Sequence, residues 1–324
     1  MILVLSDKFD AHADLVCNHL GKSNTPYFRL NLDTESLCKT KIHWTPHGFE
    51  IEENSLVVRS QDIKCVWVRR AFVELNLNEV NSNDPGTKIW KGEWDRCLIG
   101  LYQCLEDRHW LNKLDKSYRA DNKFLQNSLA REIGFSLPKT ITSNDKSRLM
   151  EFARSHGPVV IKMLHQGFYL DSDGKNKGMY VNKITEADLD EFGETGENPI
   201  TLQKYVDKSY EIRYTVVGDD HHVCRIDSQK SSRANIDWRR YDLANTPHSL
   251  IEPPDNIKEM VTSLMADLCL DYGALDFIVS PNEEWFFLEI NSMGQWLWIE
   301  NLTGARISKS ISGWLINNLE DNRN

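Results

Sequence analysis

The sequence Ala274-Leu275-Asp276-Phe277-Ile278-Val279, followed by Ser280-Pro281-Asn282-Glu283-Glu284 and then Trp285-Phe286-Phe287-Leu288-Glu289-Ile290-Asn291, sets two apolar runs around a polar turn. Runs rich in Val, Ile, Phe and Trp that are separated by turn formers read as an antiparallel hairpin. With Asn282 and Glu283 as a two-residue loop, Asp276 falls directly opposite Glu289. Glu289 and Asn291, two apart on one strand, then share a face with Asp276. Opposed residues stand roughly 5 Å apart at Cβ, and like charges there repel. The surrounding Phe, Ile, Leu and Trp keep water scarce, so the repulsion is poorly screened. A hard divalent cation relieves that conflict; magnesium takes one or two carboxylates together with substrate phosphates. A protonated acid, or one paired with Lys or Arg, satisfies the same pattern in another way.

Working outward, Val159-Val160-Ile161-Lys162-Met163-Leu164 places one lysine inside an apolar strand. Burying an unpaired ammonium is costly. Lys162 therefore either meets an anion such as a nucleotide phosphate or snorkels from an edge strand. The following Gln166-Gly167-Phe168-Tyr169 and Asp171-Ser172-Asp173-Gly174-Lys175-Asn176-Lys177-Gly178 suit a glycine-bearing hairpin that folds over a triphosphate. An ordinary Asp-Gly turn explains them equally. This is neither a Walker loop nor GxGxxG, so those nucleotide folds gain no support. Lys123 lies in a helix with Gln126, Leu129 and Ala130, where a surface lysine is the bland alternative to a phosphate ligand. Leu202-Gln203-Lys204-Tyr205-Val206 suits a strand whose main chain pairs with adenine. Glu211 and Arg213 share a strand face. The carboxylate suits a ribose hydroxyl and the guanidinium a phosphate or carboxylate, and a plain surface ion pair is the alternative.

The whole chain of 324 residues is long enough for two or three modest domains. Strand and helix signals alternate over residues 1–112: strands at 1–5, 27–30 and up to 70, a helix over 10–20, a hairpin over 41–53 and a Trp-rich helix over 89–110. This order predicts an α/β domain with a mostly parallel sheet. Residues 113–200 form a second unit, with a helix over 116–133 that stops at Gly134, a strand over 158–164 and a returning strand over 179–181. Residues 201–324 form a third, with strands at 201–206, 212–217 and 222–227, a helix over 256–270, the hairpin above and a last helix over 308–319.

Composition narrows the function classes. The formal charge is −10, with 40% hydrophobic and 27% charged residues, an ordinary globular balance that argues against a nucleic-acid partner. No apolar run approaches the roughly 20 residues of a membrane helix, and the N-terminus reads as a strand rather than a signal peptide, so the expected location is cytoplasmic. Seven scattered cysteines without a CxxC pair point to reduced thiols, not a disulfide framework or zinc site. Residues 225–240 are locally basic: Arg225, Lys230, Arg233, Arg239 and Arg240 against Asp227 and Asp237. They either face an anionic partner or form a solvated loop.

In this order, Lys123, Lys162, the glycine loop, Gln203–Val206, Glu211-x-Arg213, Asp276 and Glu289-x-Asn291 resemble the ATP-grasp superfamily, over roughly residue 113 to the C-terminus. A narrower resemblance lies within it. Val66-Trp67-Val68-Arg69-Arg70, Asp237-Trp238-Arg239, and Leu288-Glu289-Ile290-Asn291-Ser292-Met293-Gly294-Gln295-Trp296-Leu297-Trp298-Ile299-Glu300 look like the graspetide synthetases, the microviridin-type peptide maturases. The sequence departs from them at Ser292-Met293, where the family commonly has a proline after the metal-binding Asn. The resemblance implies an α/β ATP-grasp fold and an enzyme using ATP and magnesium ions. Asp276, Glu289 and Asn291 would hold two Mg2+ ions. Lys123, Lys162 and Gly167 would lie along the phosphates, Gln203, Lys204 and Val206 at adenine, and Glu211 at the ribose. Arg213 and Arg239 would grip a substrate carboxylate. It further implies a ribosomal precursor peptide with a leader segment as partner, macrolactone or macrolactam products, and a homodimer. A ligase that adds free amino acids, or a non-catalytic module that binds nucleotide and peptide, are the competing readings.

Overall fold

The computed structural model describes the chain except residues 54, 81, 165–167, 171–175, 179–180, 192–197, 232–241, 243–244 and 321–324, with backbone alone at 77, 168–170, 176–178 and 320. Gly167 and Arg239, and with them Asp237 and Trp238, lie outside the described residues.

The N-terminal apolar run forms the strand Ile2–Ser6, wholly buried, as a central strand of a parallel sheet must be. Its neighbours give the order Tyr27–Asn31, Ile2–Ser6, Cys65–Val68, His109–Leu111, all parallel. The first crossover helix, Ala11–Lys22, begins where the Asp10 carboxylate accepts from the backbone N–H groups of His12 and Ala13. The expected hairpin over 41–53 is present and gains a third strand, Leu56–Arg59. The Trp-rich helix is Pro85–Cys104, started by the Asp84 cap and Pro at its first turn. Contrary to expectation it does not run to 110: Trp110 belongs to the strand His109–Leu111, where it is buried in the sheet's core. Apolar residues on a buried strand and on a buried helix face look alike in so short a run.

A second correction concerns 116–133. Two helices, Leu114–Ala120 and Lys123–Ile133, replace one, because the Asn122 side chain caps the backbone N–H groups of Phe124 and Leu125. Gly134 ends the second helix in the left-handed conformation, as its position predicts. A four-stranded antiparallel sheet follows in the order Asn182–Ile184, Val159–Lys162, Ile200–Lys204, Thr140–Ser143. The strand Ile200–Lys204 is thus hydrogen-bonded to Val159–Lys162, and it ends before Val206. The glycine-bearing segment pairs Phe168–Leu170 with Asn176–Gly178.

The largest sheet has five antiparallel strands, ordered His248–Leu250, Asp220–Ile226, Tyr210–Val217, Tyr272–Val279, Trp285–Asn291. One face packs on the helix Asp255–Leu268 and on Lys123–Ile133, with Phe135, Phe277, Phe287 and Trp285 among the contacts. Across the sheet from that core, Trp296 and the last helix, Ile307–Glu320, share a core with the N-terminal strands.

The hairpin at 274–291 forms, with a different turn from the expected one. Ser280–Glu284 make the connection, and Val279, Ile278 and Phe277 pair with Trp285, Phe286 and Phe287, one residue out of step with the expected register. A β-bulge between Asp276 and Phe277 absorbs the difference, so that Asp276 does pair with Glu289, Leu275 with Ile290 and Ala274 with Asn291. Without the extra residue, Glu289 would have stood opposite Leu275 on the core face. The bulge re-aims it to the other face.

Candidate active site

The second and third sheets close on one cleft of about 1220 Å³, counted to its open mouth. Lys123, Lys162, Gln203, Lys204, Val206, Glu211, Asp276 and Glu289 all line it. Apolar surface comes from Val160, Met163, Leu164, Ile278 and Leu288. A cleft with a mostly apolar wall and a few charged groups suits a nucleotide.

Four charged groups form an alternating cluster. Asp276 and Glu289 face each other on neighbouring strands and are 7% and 8% exposed. Arg213, opposite Asp276 on the central strand Tyr210–Val217, donates from Nη1 to Asp276 Oδ1 at 2.9 Å. Lys123 Nζ lies 2.8 Å from Glu289 Oε2. Burial works most strongly against the charge of Arg213, but Asp276, Tyr272 and Glu289 together outweigh it and raise the guanidinium pKa. Capping by Asn122 puts Lys123 at the first turn of its helix and so turns an ordinary helix lysine toward the site.

Two predicted residues, Arg213 and Asn291, are not among those that line the cleft. Arg213 reaches the site through Asp276, and its Nη2 donates to Gln295 O at 3.2 Å. Asn291 ends the strand Trp285–Asn291 two residues beyond Glu289, opposite Ala274. Gln203 is held by its Nε2 donating to Thr140 Oγ1 at 3.0 Å.

Sequence reasoning missed Lys208. Its ammonium lies 2.7 Å from Glu211 Oε1, both side chains are almost fully buried, and both line the cleft. Read as Asp207-Lys208-Ser209, it looks like a solvated turn. Its spacing to Glu211 across the start of a strand was the available signal. Asp121 was missed as well. Its Oδ1 accepts from Ser292 Oγ at 3.4 Å, and partial burial, opposed by Lys123, raises its pKa.

The donors fit magnesium. They are hard oxygen atoms on two carboxylates that the strand pairing beside the bulge holds face to face, with an amide oxygen two residues on. Among the described residues no group of three or more His, Cys, Asp or Glu makes a self-sufficient metal cage. Two carboxylates completed by nucleotide phosphates is the usual magnesium arrangement.

A parallel N-terminal sheet and two antiparallel sheets that clasp a charged cleft define the ATP-grasp fold. No protein-family model matches the sequence, and a search of curated proteins finds no match. Solved structures do match. A Chryseobacterium gregarium RiPP-associated ATP-grasp ligase, in complex with ADP and a leader and core peptide, is 31% identical over 98% of this chain and 96% of that one, with a TM-score of 0.87. The macrocyclase MdnC of Microcystis aeruginosa MRC, bound with precursor peptide MdnA, is 24% identical over 98% of this chain and 100% of that one, with a TM-score of 0.83. D-alanyl-alanine synthetase A of Vibrio cholerae shares the fold more distantly, at 11% identity over 98% of both chains and a TM-score of 0.60. The chain belongs to the RiPP-associated ATP-grasp ligases. Among the described residues no helix is long and apolar enough to cross a membrane.

Proposed function

We propose that this ligase uses ATP and magnesium to phosphorylate an Asp or Glu side chain of a ribosomal precursor peptide. A Ser or Thr hydroxyl, or a Lys amine, of the same peptide then displaces phosphate and closes a macrolactone or macrolactam ring. The observation that carries this is the opposed Asp276/Glu289 pair, turned into the cleft by a bulge and flanked by Arg213 and Lys123. The family's structures with ADP and with leader and core peptides support the substrate class.

A carboxylate is a poor electrophile because its leaving group would be oxide; phosphorylation converts that oxygen to phosphate. The protein's part is positioning and charge neutralisation. Bound magnesium supplies neutralisation of the phosphate oxygens. Asp276, Glu289 and Asn291 would hold it. Lys123 and Lys162 line the cleft where the phosphates would lie, and Gly167 would join them in holding those phosphates. Glu211, fixed by Lys208, would accept from a ribose hydroxyl, and the chain at Gln203, Lys204 and Val206 would edge the adenine. Arg239 directly, and Arg213 through Asp276, would steady the substrate carboxylate and the acyl phosphate formed on it. Glu289, which here pairs with Lys123, would hold the ion, and Lys123 would then be available to a phosphate. A separately bound leader segment, a homodimeric assembly and a cytoplasmic site of action complete the reading; the seven unpaired cysteines suit a reducing compartment.

The test is co-expression with a short neighbouring precursor rich in Thr/Ser and Asp/Glu, followed by mass measurement. Each ring should lower the peptide mass by one water. A mass increase would instead indicate addition of free amino acids. Glu289→Gln should leave the fold intact by circular dichroism and abolish the mass change; retained cyclisation would refute the metal assignment.

A further inference from the structure

Five backbone carbonyls on either side of and beyond Asn291 are held by side chains from elsewhere in the fold. Ile290 O accepts from Gln126 Nε2 at 2.9 Å and Ser292 O from Asn112 Nδ2 at 2.9 Å. Met293 O accepts from Arg69 Nη1 at 3.1 Å, Gly294 O from the Tyr272 hydroxyl at 2.7 Å and Gln295 O from Arg213. These side-chain donors hold the backbone on both sides of Asn291.

Two of the donors do more. Gln126 also accepts from Ile290 N at 3.1 Å, so its carboxamide pairs with both backbone groups of that residue, as a neighbouring strand would. Trp285–Asn291 is the edge of its sheet, and there the backbone N–H and C=O of the buried Ile290 meet Gln126 where a further strand would lie. Gln126 and Lys123 are one helical turn apart and meet the same strand, one at the backbone of Ile290 and the other at the side chain of Glu289. The carboxamide of Asn112 is also fully engaged. It accepts from Asp271 N at 2.8 Å and Tyr272 N at 2.9 Å, and donates to Tyr272 O at 2.7 Å as well as to Ser292 O. These four bonds use its whole capacity and hold it at φ +67°, in the left-handed region. Gln126 is 0% and Asn112 4% exposed.

We propose that Gln126 and Asn112 are positioning residues for the ligand pair Glu289 and Asn291, a proposal that rests on the functional reading above. The two amides fix Ile290 and Ser292, which bracket Asn291, and so fix the backbone from which both oxygen ligands project. One amide comes from the helix Lys123–Ile133. The other follows directly on the last strand of the N-terminal sheet, which ties that unit to the ligand geometry. Groups that orient ligands in this way usually alter metal affinity by 10- to 100-fold when removed.

The experiment titrates Mn2+ into the ADP-saturated full chain and follows free Mn2+ by electron paramagnetic resonance. Gln126→Leu and Asn112→Asp should each weaken Mn2+ binding about tenfold or more, with ADP affinity in metal-free buffer within about twofold of wild type. Tyr102→Phe is the control, because it deletes an equally buried bond, to Ala71 O at 2.6 Å, inside the N-terminal core. It should lower the melting temperature and leave Mn2+ affinity unchanged. Wild-type Mn2+ affinity in both amide variants, or an equal loss in Tyr102→Phe, would overturn the proposal alone. Absence of Mn2+ binding in the wild-type protein would overturn the metal assignment and the proposal with it. If Gln126→Leu fails to fold, Asn112→Asp decides, since it keeps the acceptor bonds to Asp271 and Tyr272.

Discussion

At the scale of residues the cleft is a set of charges that cannot be altered singly. Lys208 and Glu211 form a buried pair at 2.7 Å. Removing one partner of such a pair strands the other in a poor solvent, typically at a cost of about 3 kcal/mol. Lys208→Met is therefore expected to lower unfolding free energy by about that amount in urea denaturation. Because Glu211 is assigned to ground-state nucleotide binding, the same variant should raise the KM for ATP far more than it lowers kcat. A fall in kcat alone would contradict the assignment. Residue identities at this cleft were largely legible beforehand. Lys162, Glu211, Asp276 and Glu289 stand out because a charged group in an apolar run needs a reason. Lys208 did not stand out, since its neighbours Asp207 and Ser209 gave it the look of a solvated turn.

At the scale of elements, short-range devices decide where those residues point. The bulge in the strand pair Tyr272–Val279 and Trp285–Asn291 moves Glu289 from the core face to the cleft. The cap at Asn122 splits one apparent helix in two and starts the second with Lys123. Asn122→Ala should lower stability by about 1 kcal/mol, and Asn122→Asp should restore most of it. Isothermal denaturation checks both, and Asn122→Ala should also weaken nucleotide binding by freeing the first turn that carries Lys123. Unchanged ADP affinity would show that Lys123 does not depend on the cap. The split was hard to read because apolar spacing continues in phase through 121–122, and the pairing in the hairpin came out as expected only because a longer turn and a bulge offset one another.

At the scale of the whole molecule, the N-terminal unit meets the third one around Trp296. His12, on the first crossover helix, packs edge-on against Trp296 with ring centroids 4.8 Å apart. Its pKa is pushed from 6.5 down to about 4, first by burial and then by Arg69, against the pull of Asp10; Arg70 adds to the depression. The unfolded chain takes up this proton near pH 6.5 and the folded chain only near pH 4. Between those values the unfolded state binds more protons, so stability falls as pH drops from about 6.5 toward 4; above that window His12 contributes no pH dependence. At about 1.4 kcal/mol per pKa unit, the loss reaches at most about 3.5 kcal/mol. His12→Phe should flatten this part of the stability profile relative to wild type. Parallel profiles for the two proteins from pH 7 to pH 4 would contradict the burial argument.

By itself the sequence determined most of the helices and strands, the acidic hairpin and the order of the charged residues whose resemblance points to the fold family, because periodicity and misplaced charges are local facts of the chain. Tertiary structure decided which strand face Glu289 occupies, that Arg213 meets Asp276, and that Gln126 and Asn112 grip the backbone on either side of Asn291. The first two follow from how strands pair and where a bulge falls, and the last from backbone groups finding partners more than a hundred residues away; no local pattern records any of them.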